Sequence, residues 1–424
     1  MKKILIITYY WPPKGGVGVQ RWLKLTKYLS KNNYHPIIYT ADGGVSPLKD
    51  DSLSSIVSPK IKILKKKIFE PQSAFKLFAQ GNPSSDILIN ENPTFFQKIS
   101  IWLRANLFIP DSRCFWIKPS IRFLDNYLRN NNIDIVISTG PPHSMHMIAL
   151  ALKKKHNIKW IADFRDPWTE IEYFDKLPLL SISKKKHKKL EQNILTNADL
   201  VLSVSHSWGI NLTKMGAQNI HILTNGYDPD DYDYPISKTS SMQFRIGHFG
   251  LYNQLRDHSF FWETIKKISN NISDFNSNLE LLFAGEVHGD FLNNIQSYQL
   301  AEKLEYRSYL NHADTIQQMM QCDILLVTQS DTKDALGRLP AKFFEYLGAR
   351  RPILAIGKKN SDLEYIINKI SYAWFVDFNN SDLLYKTILK IYQSRESNIR
   401  FNDDISDFSR EKHAKKIIDL MENI

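Results

Sequence analysis

Cysteine is scarce in this sequence. Cys114 and Cys322 are the two present in 424 residues. They lie far apart and match no metal-ligand spacing, which excludes a disulfide framework and a zinc site and fits a reducing cytoplasm. Long apolar runs are also missing. No stretch of about 18 apolar residues exists, so no membrane-spanning helix is expected. The N-terminus, Met1-Lys-Lys-Ile-Leu-Ile-Ile-Thr8, superficially resembles a secretory signal. Its apolar core is short, however, and Trp11-Pro-Pro13 stands where a small-residue cleavage site belongs, so a first buried strand explains it better. The Gly-x-Gly-x-x-Gly dinucleotide fingerprint is absent, and no acid follows at the required distance. There is no solenoid-length repeat, no low-complexity tract and no RNA-binding motif of aromatic and basic residues, so nucleic acid is not expected as a partner.

The sequence does have the balance of a globular protein: 43% hydrophobic and 23% charged residues, in a chain long enough for two domains. Its net charge is +11, with basic runs at 65–67, 153–155 and 184–189. Such runs are either solvated helical faces or contacts to an anionic partner, such as a membrane surface or a pyrophosphate-linked substrate. Each lysine beside anionic lipid contributes about 1 kcal/mol, so several on one face would attach the chain reversibly without an anchor.

Short apolar runs alternate with helical patterns from end to end. In the first half, strands are expected at 4–9, 36–40, 61–64, 133–138, 159–164, 200–204 and 221–224, with helices at 19–31, 119–130, 143–156 and 184–197 among those between them. The strands are apolar on both faces, as parallel strands covered by helices are. A polar, turn-rich stretch at 228–241 reads as a linker. The alternation then restarts, with strands at 244–249, 279–284, 324–328, 353–356 and 373–376 and an amphipathic helix at 406–423. The chain is therefore expected to be α/β, with doubly wound parallel-sheet domains at 1–227 and 244–405, a linker at 228–243 and a C-terminal helix at 406–424. The region 86–116 is the least regular and is rich in aromatics, either as buried packing or as an apolar entry for a lipid-linked acceptor.

Several constellations carry chemistry. Leu339-Pro-Ala-Lys-Phe-Phe-Glu-Tyr-Leu347 places Pro340 and Lys342 at a helix start and Glu345 one turn on. A helix N-terminus offers unpaired amides and a partial positive charge to a phosphate, and Lys342 adds a full charge. Glu345 can accept from both hydroxyls of a ribose. Gly15, Gly16 and Gly18 form a tight turn after the first strand, where backbone amides can approach a phosphate. His143 follows a double proline at a strand's carboxyl end, where open α/β sheets place ligands. It is either an acceptor-hydroxyl contact or an incidental residue at a helix start. Asp163, Arg165 and Asp166 cluster at the end of the next strand. Charges there pair with one another or bind something. They read as a structural clamp or as an active site, and the active site is favoured, with Asp163 or Asp166 orienting an acceptor hydroxyl or acting as a base.

The 339–347 segment resembles the donor-site helix of family 4 glycosyltransferases, which have the GT-B fold of two Rossmann-like domains. In the family's Glu-x7-Glu motif the second Glu is Glu345, while Gly337 occupies the place of the first. The resemblance extends over nearly the whole chain. It implies two domains facing across a cleft, with the C-terminal helix crossing back to the first. It implies that Glu345 holds the donor ribose and that the Gly15-Gly16 loop faces the donor phosphates. Arg256, in Gly247-His-Phe-Gly-Leu-Tyr-Asn-Gln-Leu-Arg-Asp257, is the equivalent of an arginine that grips the diphosphate, with Lys342 as the second cation. Gly285-Glu286 resembles the strand end beside the nucleotide, and Arg165 stands where many members have a histidine contacting the donor sugar. The implied activity is retaining hexosyl transfer from a nucleoside diphosphate sugar to a lipid-linked or glycan acceptor, of the bacterial surface-polysaccharide type. No metal or other cofactor is implied, and the expected location is cytoplasmic, peripheral at the inner face of the membrane. The alternatives are a nucleotide-sugar epimerase of the same fold and a non-catalytic membrane- or nucleic-acid-binding protein.

Overall fold

The protein, described by a computed structural model over residues 1–46, 48–70, 94–233, 242–395 and 401–424, contains two parallel sheets. Each belongs to its own compact unit. Unit 1 comprises Met1–Thr224 with His413–Ile424, and unit 2 comprises Asn225–Lys412. Part of the expected linker, 234–241, and part of the aromatic region, 86–93, lie outside the described residues.

Unit 1 holds β1 (Lys2–Ile7), β2 (Tyr34–Asp42), β3 (Lys62–Lys67), β4 (Ile135–Gly140), β5 (Lys159–Phe164), β6 (Leu200–Ser203) and β7 (Ile220–Ile222). Their order is β3-β2-β1-β4-β5-β6-β7, with every pairing parallel. The order reverses between β1 and β4, so the loops leaving these two strands diverge and open a crevice at their carboxyl ends. The central strands are apolar on both faces because both are covered. Leu5, Ile7, Val136 and Ala162 pack into one cluster, and Ile4, Ile6, Ile137 and Ile161 into another. Ala414, Ile417 and Met421 of the last helix, Arg410–Glu422, complete the second cluster.

Unit 2 holds β8 (Phe244–Phe249), β9 (Leu279–Ala284), β10 (Leu304–Arg307), β11 (Ile324–Thr328), β12 (Ile353–Gly357) and β13 (Ala373–Asp377), ordered β10-β9-β8-β11-β12-β13 and again all parallel. Its reversal lies between β8 and β11.

Two elements differ from the sequence reading. β10 carries charges at alternate positions and covers the sheet edge, so it lacks the apolar run that marks the central strands. The supposedly irregular aromatic region is largely helical, with Phe95–Leu107 and Cys114–Asn130. Thr94 and Gln97 form a reciprocal capping box at the first of these. In the second, Pro119 sits inside the helix rather than at its start.

Candidate active site

In unit 2 the turns after the neighbouring strands β8 and β9 are built from positive-φ glycines and buried polar anchors. Gly250, directly after β8, has φ +121°, and Gly285, directly after β9, has φ +130°. A Cβ on Gly285 would stand 2.3 Å from the Gly250 carbonyl oxygen, so the two turns abut as only glycine allows. The loop after β8 is then pinned by Asp257, which accepts from His288 Nε2 (2.7 Å), Asn294 (3.2 Å) and the Tyr252 hydroxyl (3.3 Å). Burial alone would raise the Asp257 pKa, but the bonds from His288, Trp262 and Asn294 hold it below the usual carboxylate value. Arg256 therefore starts from a fixed turn, with its Nη1 donating to the Leu251 carbonyl at 3.0 Å. Glu286 is exposed next to Gly285, and its carbonyl accepts from Tyr252 N at 2.8 Å.

The helix Ala341–Ala349 begins directly after Pro340, which has φ −57°. The buried Gln329 fixes the approach to it by donating to the carbonyls of Ala335 and Arg338 and accepting from Lys358 N. Tyr346 fastens the helix to the sheet, its hydroxyl accepting from Phe249 N at 2.9 Å. This orientation brings Lys342 beneath the Gly250 turn, where a Cβ on Gly250 would lie 3.7 Å from Lys342 Cγ. Lys342 Nζ meets Glu345 Oε2 at 2.5 Å, and the Glu345 carbonyl accepts from the Tyr232 hydroxyl at 2.6 Å. The sequence reading passed over His248. Its Nδ1 donates to the Leu326 carbonyl (3.1 Å), while its buried Nε2 has no partner. Burial, with Arg256 and Lys342 as further causes, lowers its pKa to about 4, so the ring is neutral. Arg256 and Lys342, 86 positions apart in sequence, thus act on one imidazole. The signal for this was the Gly-His-Phe-Gly strand end itself.

In unit 1, Gly15 and Gly16 follow β1. The Gly15 amide donates to the Leu48 carbonyl at 3.0 Å, and the residue is buried. This corrects its expected role, because that amide is already used within the fold. Gly16, at φ +92°, opens the helix Val17–Lys31. Asp163 also departs from its expected role. Its carboxylate accepts from Arg21 Nε and Nη2 (3.1 and 2.8 Å), Trp22 Nε1 (2.8 Å) and the Thr139 hydroxyl (2.9 Å). Neither side chain of the Arg21–Asp163 pair is exposed, and Arg21 also donates to the carbonyls of Leu223 and Thr224. The clamp reading therefore fits Asp163: its side chain is fully buried and accepts four hydrogen bonds from within the fold.

Arg165 and Asp166 emerge beyond β5 and remain partly accessible. Arg165 donates to the Pro141 carbonyl and lies 6.0 Å from the Tyr10 ring, and a Cβ on Gly18 would come within 2.7 Å of its Nη1. It thereby ties the ends of β4 and β5 to the glycine turn after β1. His143 precedes the helix Ser144–His156 and stacks on Trp168 with ring centroids 4.7 Å apart and planes 4° apart. Burial, aided by His146 and Arg165, pushes its pKa well below the usual histidine value, so it too is neutral. His143 borders a pocket of about 210 Å³ walled by Tyr10, Phe108, Trp168 and Phe174, with Arg104 and Arg113 contributing charge. Among the described residues no group of three or more His, Cys, Asp or Glu side chains is arranged to hold a metal ion, and no helix is long and apolar enough to cross a membrane.

The model of Glycosyltransferase Family 4 matches residues 15–231, just over half of the 424-residue chain. The protein belongs to that family. Among solved structures it is similar to a glycosyltransferase from Rickettsia africae (TM-score 0.65, 16% identity, covering 100% of this chain and 98% of that one). It is also similar to sucrose-phosphate synthase from Thermosynechococcus elongatus (0.67, 12%, 100% and 99%). A third is WaaG, a glycosyltransferase involved in lipopolysaccharide biosynthesis (0.54, 11%, 98% and 95%). At these identities the likeness establishes the fold, which is the GT-B arrangement of two parallel-sheet α/β domains. No curated protein sequence matches the chain.

Proposed function

We propose that the protein transfers a hexose from a nucleoside diphosphate sugar to a glycan or lipid-linked acceptor, with retention at the anomeric carbon, in cell-surface polysaccharide assembly. The observation that carries this reading is Lys342, in the first turn of the helix Ala341–Ala349, ion-paired with Glu345 beneath the Gly250 turn. Negative charge grows on the departing diphosphate as the sugar leaves. Catalysis then requires positive groups fixed in advance where that charge appears. Lys342, Arg256 and the amides at the helix start supply them in unit 2. Donor binding draws Lys342 onto the phosphates and releases the Glu345 carboxylate to the ribose hydroxyls. These cations take the place of a protein-held metal. A donor phosphate oxygen accepts the proton of the attacking hydroxyl, and Asp166 and His143 position the acceptor.

Family membership supports the class of reaction. Net charge supports the membrane-surface setting, as do the exposed rings of Phe95 and Phe96 beside Lys98. The test is a thermal-shift panel of UDP, GDP, ADP and dTDP with their sugars. One base series at about 100 times its dissociation constant adds about 2.7 kcal/mol of stability. A labelled donor then separates transfer from epimerisation, since an epimerase forms product without acceptor. If no nucleoside diphosphate stabilises the protein, the reading fails.

A further inference from the structure

We propose that Trp160, Ser138 and His146 fix His143 of unit 1 as a hydrogen-bond donor. Its Nε2 carries the proton and offers it to an oxygen of the acceptor sugar, so the ring orients that oxygen and takes no proton from it. What fills the pocket rests on the glycosyl-transfer reading; the state of the ring does not.

The assignment follows from counting donors and acceptors. Trp160 Nε1 can only donate, and it lies 2.8 Å from Ser138 Oγ. Ser138 Oγ in turn lies 2.8 Å from His146 Nδ1. A serine hydroxyl has one proton to give. If His146 Nδ1 were the donor, that proton would be buried without an acceptor, so Ser138 donates to His146. Burial keeps His146 neutral, lowering its pKa to about 3. A neutral ring carries one proton, and His146 therefore holds it on Nε2.

His146 Nε2 and His143 Nδ1 are both buried, and neither has a partner within the fold. They face one space. Gly140, two residues beyond Ser138 on the same face of β4, leaves it open: a Cβ there would stand 2.6 Å from His146 Nε2 and 3.1 Å from His143 Nδ1. Stacking restrains both rings, His146 on Phe164 (centroids 4.5 Å apart) and His143 on Trp168 (4.7 Å). A buried N–H and a buried lone pair on one space satisfy each other, directly or through one bridging water. His143 Nδ1 is then the acceptor, and its proton sits on Nε2. The ring borders the pocket of about 210 Å³, and Nε2 is the nitrogen left to serve it. Ser138 and His146 are thus positioning residues. A ring in this state cannot deprotonate the attacking hydroxyl, which leaves that proton to the donor phosphate.

Two-bond proton–nitrogen NMR of the full chain, labelled with nitrogen-15 histidine and measured at neutral pH without substrate, reads both tautomers. His143→Gln and His146→Leu assign the signals. Both rings should be protonated at Nε2 alone. Ser138→Ala should raise the Nδ1-protonated form of both rings by about fivefold or more, the worth of one lost hydrogen bond. Ser138→Thr keeps the hydroxyl and should match wild type, and His146→Leu should release His143 as Ser138→Ala does. Melting temperatures confirm the fold of each variant. A wild-type His143 protonated at Nδ1 would overturn the assignment, and that result needs no variant. So would a His143 tautomer unmoved by Ser138→Ala or His146→Leu in folded protein. Binding of UDP, GDP, ADP and dTDP by the same preparation reports on the transfer reading separately.

Discussion

Removing the Asp163 carboxylate should cost stability before it costs chemistry. In Asp163→Ala, Arg21 keeps the carbonyls of Leu223 and Thr224 but loses its counter-charge in a site where neither partner is exposed. Trp22 Nε1 and the Thr139 hydroxyl lose their acceptor as well. Breaking one side of a buried, hydrogen-bonded ion pair costs about 3–5 kcal/mol. A chain of two units need not unfold in one step, so a single global free energy is the wrong readout. Amide hydrogen exchange reports openings locally. At about 1.4 kcal/mol per tenfold, protection of β4 and β5 amides should fall by about two to three and a half orders of magnitude. Replacing both partners, as Arg21→Met with Asp163→Leu, should recover part of the loss, because no buried charge is then left uncompensated. The sign with pH follows from the Asp163 pKa. Burial would raise it, but Arg21, Arg165 and the bond from Trp22 hold it below the usual value. The carboxylate's contribution is therefore present above the unfolded pKa of about 3.9 and is lost as pH falls through the folded value. If Asp163→Ala retained protection within tenfold of wild type and yet abolished transfer, the clamp argument would be wrong and Asp163 would belong to the chemistry.

Two further outcomes test other parts of the molecule. Lys342→Ala and Arg256→Ala should each lower turnover at least tenfold, about 1.4 kcal/mol of transition-state stabilisation, with melting temperatures close to wild type. Wild-type turnover in both would remove these cations from the mechanism. Glu191 is buried, accepts from Thr169 and Trp168, and has its pKa pushed up by that burial to about 7. A raised folded pKa means that its contribution is full below the unfolded value of about 4.3 and is lost as pH rises through 7. Protection of unit 1 amides should therefore decline between about pH 4.5 and 7, by up to about 1.4 kcal/mol per pH unit, and Glu191→Gln should flatten that slope. An unchanged slope in the variant would assign it to another group.

The alternation of apolar runs and helical patterns specified the parallel α/β class on its own, because a strand covered on both faces has to be apolar on both. Central strands such as β5, β8, β9 and β11 were legible to the residue. β10 was not, since an edge strand of Leu304-Glu-Tyr-Arg307 needs apolar contact on fewer sides. Pro340, Lys342 and Glu345 were legible as a group because their relation is local: one helix start and one turn. Helix Phe95–Leu107 announced itself through Thr94 and Gln97, but its aromatics made the stretch look irregular.

The sequence by itself determined which residues are chemically able to act: cations at a helix start, glycines where a chain must turn sharply, and a carboxylate and guanidinium at a strand end. Tertiary structure decided which of them are left available. Arg21 reaches across from the helix after β1 to occupy Asp163, and Leu48 takes the Gly15 amide. Arg256 and Lys342 both help to lower the His248 pKa, and a pocket forms between the helix Phe95–Leu107 and residues that follow β4 and β5. The physical reason is that hydrogen-bonding capacity is finite. A side chain's intrinsic chemistry is written at its own position, whereas the partner that satisfies it comes from wherever the fold brings the chain back.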